Sequence, residues 1–428
     1  MGGGDSGVSS RVKLGIQKAL VMLKVFLVEY PPEGYEIEKI DIDVFGFSRG
    51  AATARYSIYI MTDWWEYIPL YVKLRTHGYK EITDKNIEIK FAGFYDTVVS
   101  IYGSQYNYWS DNKLKQRSVA LATKSVHLAA AEEHRLDFPL HTIKSAKDNG
   151  KGKEFYLPGV HSDVGGSYNL ANQALVDKKS KKSATIKIVL KAGDYSVMMA
   201  EKRLLIKSGM FTDDQLVVET TEHNPNGRNK GKLIELRTLD TTECMRSSSE
   251  VGLVIKKDHD TELNSDRDWL VSQGWYKRDQ LHIDIKVFYI NGIMYPAGGT
   301  YPEGTRFVGT LVANRKNIKS AYSNIPLKLM AKFAWENGIE IDAQLEKNAN
   351  IILKKEPNLL TLEADITSYV ATKGNSSKPE DWLPEKPVNI NADMKKIRNE
   401  HLHMSAKIDT GYTPRITKGK RLRYYYEG

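Results

Sequence analysis

Gly46-Phe47-Ser48-Arg49-Gly50 sets a serine hydroxyl between two glycines, each two positions away, which is the spacing of a nucleophile elbow. Such a turn leaves little room for Cβ atoms near the serine, and glycine tolerates the dihedral angles it needs. The pentapeptide alone is a weak signal. Its setting strengthens it. Ile40-Asp41-Ile42-Asp43-Val44-Phe45 alternates as a strand running directly into Gly46, and Ala51, Ala52 and Ala54 open a helix behind Ser48. The plain alternative is a structural strand-to-helix turn.

A serine hydroxyl attacks an acyl carbonyl only when a base takes its proton, and that base needs an acceptor to hold its tautomer. α/β-Hydrolases supply the three groups in the chain order Ser, Asp or Glu, His. Here Asp96 closes the next predicted strand, 86–94, and His161 follows a short strand at Phe155-Tyr156-Leu157, with separations of 48 and 65 residues. Asp163 is the rival acid, and His403, within Glu400-His401-Leu402-His403, is the rival base. A helix-capping Asp96 and a loop histidine satisfied by backbone groups are the structural alternatives. The backbone N–H of Arg49 is the expected first oxyanion donor. A second would come from a loop near the start of the domain, where Gly2-Gly3-Gly4 is one candidate.

His127 and His134 flank a predicted helix from about Leu114 to His134, but their spacing lacks the His-Glu-x-x-His pattern and makes a poor metal site. With no cysteine cluster, phosphate-cradling glycine loop or dinucleotide fingerprint, neither metal nor cofactor is expected.

The elements that must position these groups alternate between strand and helix, which predicts a mostly parallel α/β sheet flanked by helices. Upstream, Val12, Ile16, Ala19, Leu20, Leu23, Phe26 and Leu27 fall on one helical face, ended by Pro31-Pro32. Lys178-Lys179-Ser180-Lys181-Lys182 reads as a solvated linker. Beyond it Ile283-Asp284-Ile285-Lys286-Val287 alternates, and Asn291-Gly292 favours a hairpin turn. Helical spacing returns over 325–337, with Leu327, Met330, Ala331 and Ala334 on one face and Gly338 as the stop, and 374–387 reads as a loop. The expected division is 1–177 as an α/β-hydrolase core carrying the triad, 178–315 as a β-rich accessory region, and 316–428 as a helical segment returning to the core plus a carboxy-terminal tail.

The chain has 428 residues, 41% hydrophobic and 27% charged, an ordinary globular balance. Its formal charge of +9 favours an anionic partner such as a membrane surface; nucleic acid would rest on charge alone and is not expected. The single cysteine, Cys244, makes no internal disulfide. The most apolar stretch, Ala19 to Val28, is far shorter than the roughly 20 residues that span a bilayer and lacks a signal-peptide cleavage site. Synthesis in a cytoplasm is expected.

The segments Gly-Phe-Ser-Arg-Gly-Ala-Ala from Gly46, Phe-Tyr-Asp-Thr-Val from Phe94 and Leu-Pro-Gly-Val-His-Ser-Asp-Val-Gly-Gly from Leu157 resemble those of the type VI secretion phospholipase effectors built on an α/β-hydrolase domain. Ala129 to Arg135 and Ile325 to Met330 resemble further segments of that family, so the likeness covers roughly 10–172 and 322–338. By position it carries the nucleophile to Ser48, the acid to Asp96 and the base to His161. The resemblance implies hydrolysis of fatty-acyl esters of membrane glycerophospholipids, delivery to a rival bacterium's periplasm, a spike protein as carrier and an immunity protein as inhibitor. Only 45 residues precede Gly46, whereas an elbow usually follows several strands, so an amino-terminally shortened chain is expected. A catalytically impaired fragment that binds a carrier, a membrane or an immunity protein is the competing expectation.

Overall fold

The computed structural model describes residues 33–62, 86–99, 114–168, 318–382 and 392–404 nearly throughout, shorter stretches at 11–16, 267–288 and 423–428, and the backbone of further strands within 185–315 and 416–421. The first half runs β1 (Ile40–Phe47), α1 (Arg49–Thr62), β2 (Ile87–Tyr95), a 3₁₀ turn (Gln116–Leu121), β3 (Lys124–Ala130), β4 (Leu140–His141), α2 (Lys144–Asp148), β5 (Gly152–Leu157) and α3 (His161–Gly165). Four strands form a parallel sheet in the order β1-β2-β3-β5. The predicted strands and the parallel α/β architecture are present.

Strands laid down in sequential order, all parallel, send their right-handed crossovers to one face. That face holds Ala51, Ala54 and Ile58 of α1, Val119 and Ala122 at the 3₁₀ turn, and Ile143 and Ala146 beside α2, packed on Ile89, Ala92 and Phe94. The other face carries Phe91, Val126, Leu128, Phe155 and Leu157. Ile89 shares a face with Ala92 and Phe94 because the pairing slips between Ile42 and Asp43, leaving Lys90 as the extra residue. The bulge inverts the alternation partway along β2.

The predicted helix over Leu114–His134 is absent. The segment is instead a 3₁₀ turn followed by β3, with His127 inside the strand. Alanine and leucine there suggest a helix, but β3 lies between β2 and β5 with apolar neighbours on both faces, and a doubly covered strand shows no alternation. Tertiary context overrides propensity.

Beyond α3 the described strands are β6 (Thr185–Ile188), β7 (Gly193–Asp194), β8 (Leu216–Thr220), β9 (Lys230–Arg237), β10 (Glu250–Lys257), β11 (Leu281–Phe288), β12 (Met294–Tyr295) and β13 (Arg306–Arg315). They form two antiparallel four-stranded sheets, and the alternating pattern had indicated only that this region is β-rich. β11 pairs with β12 across the Asn291-Gly292 segment, which itself lies outside the described residues. So do most of the residues predicted as the amino-terminal helix and the basic stretch at 178–182.

The chain then returns under the sheet as α4 (Asn324–Glu336), α5 (Ala343–Leu353), α6 (Pro357–Lys373) and α7 (Ala392–His401). α4 buries Leu329, Met330, Phe333 and Ala334, and Phe333 stacks on Phe155 at 5.5 Å. Each such large side chain contributes about 1.5–3 kcal/mol of burial. The predicted face was partly misplaced: Leu327 is exposed, and the buried stripe is centred on Phe333. Gly338 ends the helix at φ 78°, as expected.

The segment expected as a loop at 374–387 contains two 3₁₀ turns, Gly374–Ser376 and Pro379–Asp381, and packs along β5. Ser377 Oγ accepts from the Tyr156 N–H (2.9 Å) and Trp382 Nε1 donates to the Tyr156 carbonyl (2.7 Å), which protects the sheet edge. The tail adds β14 (Ile416–Thr417), β15 (Lys420–Arg421) and β16 (Tyr425–Tyr426), the last parallel to β4. Among the described residues no helix is long and apolar enough to cross a membrane.

Candidate active site

β1 and β2 end side by side, with Phe47 paired to Tyr95, so the residues that follow them, Ser48 and Asp96, emerge together at the carboxyl edge of the sheet. Crevices at this edge are where open α/β sheets place their ligands. Ser48 has φ 58°, a left-handed conformation costly for a residue with a Cβ. The turn is held by Ser48 N–H to the Tyr95 carbonyl (3.0 Å), and by Ala52 N–H (3.2 Å) and Val98 N–H (3.4 Å) to the Ser48 carbonyl. The strain is thus fixed by neighbours on two elements.

The two motif glycines are not equivalent. A Cβ on Gly46 would lie 2.5 Å from the Gly50 carbonyl oxygen and 2.6 Å from the Ala51 backbone, whereas a Cβ on Gly50 would meet nothing within 4 Å. Gly46→Ala is therefore expected to open the elbow and lose most site function. Gly50→Ala should leave activity and melting temperature near wild type, or slightly improve stability through helix propensity. Parallel melting curves and esterase assays of the two variants check this. Gly165 is, like Gly46, an enforced position, since its Cβ would fall 2.0 Å from the Phe47 ring.

His161 begins α3, just beyond the end of β5. Its Nδ1 lies 2.6 Å from Asp96 Oδ2 and its Nε2 2.8 Å from Ser48 Oγ. An ionised carboxylate only accepts, so Nδ1 carries the proton and Nε2 is free to accept the serine's. The ring is packed by Phe47 (centroids 4.5 Å) and Phe138 (5.0 Å). Burial, the largest influence, pushes its pKa below the ordinary histidine value, against the hydrogen bond and charge of Asp96.

Asp96 is fully buried, also with positive φ, and its Oδ1 accepts the Ala130 N–H at 2.8 Å. Burial works against its charged form. Arg423 and the His161 hydrogen bond outweigh burial and hold the carboxyl well below the usual range. Arg423 reaches it from the tail as a two-pronged pair, Nη1 to Oδ1 at 2.7 Å and Nη2 to Oδ2 at 2.8 Å.

The rival candidates pair with each other. His403 Nδ1 donates to Asp163 Oδ1 (2.7 Å), while Asp163 Oδ2 accepts the Val160 and His403 N–H groups, both at 3.0 Å. Asp163 thus caps α3 and ties the 402–404 segment to the His161 loop. The Ala129–Arg135 segment serves the same loop from the other side: Glu133 Oε2 accepts the His161 N–H (3.2 Å) and Glu132 Oε2 the Gly159 N–H (2.7 Å). Arg135 and Arg398 neutralise these two buried carboxylates. His127 is a packing residue beneath the site, donating from Nδ1 to Glu154 (2.8 Å) and accepting the Thr97 N–H at Nε2 (3.1 Å). His134 Nδ1 donates to the Glu132 carbonyl (2.9 Å).

Among the described residues, Glu356, Glu400 and His401 are grouped closely enough to hold a metal, but Lys319 Nζ stands 2.8 Å from Glu356 and 3.8 Å from Glu400. Gly2-Gly3-Gly4 lies outside the described residues.

Fold and site together define an α/β protein with a hydrogen-bonded Ser-His-Asp array at the carboxyl edge of a parallel sheet. Residues 62–190, which include Asp96 and His161, match the family model described as T6SS, phospholipase effector Tle1-like, catalytic domain. The match agrees with the family that the motifs of the chain resemble. The solved structure of the Tle1 effector bound to the VgrG spike from the type 6 secretion system is similar at a TM-score of 0.54 and 18% identity, covering 98% of this chain and 74% of that one. An uncharacterized protein from Pseudomonas aeruginosa aligns over 29% of this chain and 19% of its own, at 22% identity and a TM-score of 0.20, too low to carry an argument. A comparison with curated proteins found no match.

Proposed function

We propose that this chain is a serine-dependent phospholipase releasing fatty acid from membrane glycerophospholipids. The observation that carries the reading is the array itself: a strained serine whose Oγ lies 2.8 Å from a histidine that is in turn 2.6 Å from a buried carboxylate. Ser48 Oγ attacks the acyl carbonyl carbon while its proton passes to His161 Nε2. The ester C–O bond breaks, and the same proton goes to the departing lysophospholipid oxygen. Water then gives a proton to Nε2 and attacks the acyl-serine, and Ser48 regains that proton as the fatty acid leaves. Asp96 holds the Nδ1–H tautomer and stabilises the transient imidazolium. The Arg49 N–H, at the start of α1, serves the oxyanion.

The lipid substrate is supported by the family match and by the formal charge of +9, which favours an anionic bilayer. We further propose that the chain acts as an antibacterial effector carried by a spike protein, as Tle1 is bound to VgrG in the solved complex, and restrained by an immunity protein. Its site of action would be the periplasm of a target cell. Aromatic residues at 64, 65, 67, 102, 106, 108 and 109, candidates for an acyl channel or lid, lie outside the described residues. The division into a core over 1–177, an accessory region over 178–315 and a returning segment over 316–428 remains our proposal. Leu270, Trp275 and Tyr276 of the middle region contribute to the same core as the sheet.

Release of fatty acid from vesicles of phosphatidylethanolamine and phosphatidylglycerol tests the substrate. Cleavage of soluble acyl esters with no lipid hydrolysis would remove the phospholipase assignment while leaving an esterase. The pH profile is a separate prediction. His161 accepts a proton only when neutral, and its pKa lies below the ordinary value of 6.5. Activity should therefore be complete above that value and fall only as pH drops below it through the lowered pKa. A kcat/KM profile with its acid limb centred above 6.5 would contradict this environment for the base.

A further inference from the structure

Arg423 has no counterpart in the serine, acid and base read from the motifs. It lies 327 residues beyond Asp96 in the chain, yet it is buried and directs its whole guanidinium at this site. Besides the paired contacts to both Asp96 oxygens, its Nε donates to the Phe138 carbonyl (2.8 Å) and Nη1 to the Ala130 carbonyl (3.2 Å). The carboxylate is saturated in return: Oδ1 accepts from Ala130 N–H and Nη1, and Oδ2 from His161 and Nη2.

The arginine is delivered by a docked strand. Tyr425 and Tyr426 of β16 pair in parallel with Leu140 and His141, the Tyr426 carbonyl accepts the Thr142 N–H (2.9 Å), and the Tyr426 ring stacks on His141 at 5.1 Å. Across the sheet edge the Tyr425 ring meets Tyr156 at 6.3 Å. The tail therefore completes the site from a second direction, independent of the β2 and β5 loops.

We propose that Arg423 is a positioning residue for the hydrolysis, a guanidinium clamp that fixes Asp96 in one rotamer and limits how much of its charge reaches His161. The proposal rests on the Ser48–His161–Asp96 reading above. A planar fork matched to a carboxylate sets both distance and orientation, which a lysine ammonium does not. The charge also has a sign that can be read. A fixed cation on the far side of Asp96 opposes the formation of imidazolium, so removing it should make His161 a stronger base. The other charged groups facing the ring are Asp96 itself, and Glu133 and Arg135 from the loop after β3; Ser48, Phe47 and Phe138 bring no charge.

Two substitutions separate the two roles. Arg423→Gln removes charge and fork; it should lower kcat on a soluble acyl ester by roughly 10- to 100-fold, the scale of a small misplacement, with KM little changed. Its acid limb should move to higher pH. Arg423→Lys keeps a charge without the fork, and should lose kcat while its acid limb stays near wild type. A purely structural role would move the melting temperature and leave the acid limb of every folded variant in place, and that result would overturn the proposal.

Nuclear magnetic resonance of the His161 ring in histidine-labelled protein reads the same charge effect without turnover. Its titration should rise in Arg423→Gln relative to wild type, and an unchanged titration would overturn the clamp even if the chain proved to have no hydrolase activity. Should Arg423→Gln not fold, the lysine variant still decides: wild-type kcat with an unmoved limb would exclude positioning by the fork. Failure of wild type to hydrolyse or label at Ser48, with the titration shift present, would instead count against the catalytic reading alone.

Discussion

Alanine in place of Ser48 is expected to reduce ester hydrolysis by roughly a million-fold, to the residual level supplied by binding and the oxyanion donors. The change removes one oxygen. The contacts that hold the turn, from the Ser48 N–H to the Tyr95 carbonyl and from the Ala52 and Val98 N–H groups to the Ser48 carbonyl, are all backbone and survive it. Alanine meets the same left-handed strain at φ 58° as serine does. The melting temperature should therefore stay within a few degrees while the rate collapses. His161→Ala should cost about as much, and the double variant no more than either single one, because groups that act as a unit are not additive. Steady-state rates on a soluble ester with melting curves of all three proteins check this; a Ser48→Ala rate above about one per cent of wild type would exclude the serine as nucleophile, given the scale of the loss expected.

Asp96→Asn carries the second large effect and, in this molecule, two separable consequences. The amide can present its N–H₂ to the imidazole and favour the wrong tautomer, a change that costs about 10⁴-fold in a Ser-His-Asp site. Here the same carboxylate is also the anionic partner of buried Arg423. Neutralising one member of a buried pair strands the other and typically costs about 3–5 kcal/mol. Asp96→Asn should thus be both slow and markedly less stable. Adding Arg423→Gln should recover much of the stability, since neither buried charge then remains, and none of the activity. Urea denaturation of the two single variants and the double variant measures the coupling. Additive losses of stability would show that the pair is not coupled as the geometry implies.

The elbow was legible because its signals are local: an alternating strand, a glycine where the backbone of Ala51 comes within Cβ distance, and an alanine-rich helix. Asp96 and His161 were legible because parallel strands put their following residues at one edge, so chain order substitutes for spatial proximity. β3 was not legible. Its residues are covered on both faces, and a doubly buried strand has no period to distinguish it from a helix. The stripe on α4 was misplaced for a related reason, since Phe333 rather than Leu327 faces the sheet and the sequence spacing allows either. Nothing in the spacing of Glu132 and Glu133 marks them as buried, yet both are, and Arg398 and Arg135 align them to frame the histidine loop. No periodicity marks Arg423. Its one hint is an arginine set against the aromatic run Tyr424-Tyr425-Tyr426, a composition unusual for a solvated tail.

Exposure of the folded protein to a fluorophosphonate probe, followed by peptide mass spectrometry, tests the central claim most directly, because the probe reports an activated serine whatever the lipid substrate. A single adduct on Ser48, lost in His161→Ala and slowed at pH values below the histidine limb, is the predicted result. A folded protein with no adduct at Ser48, or one whose labelling is indifferent to His161, would contradict the assignment of Ser48 as an activated nucleophile.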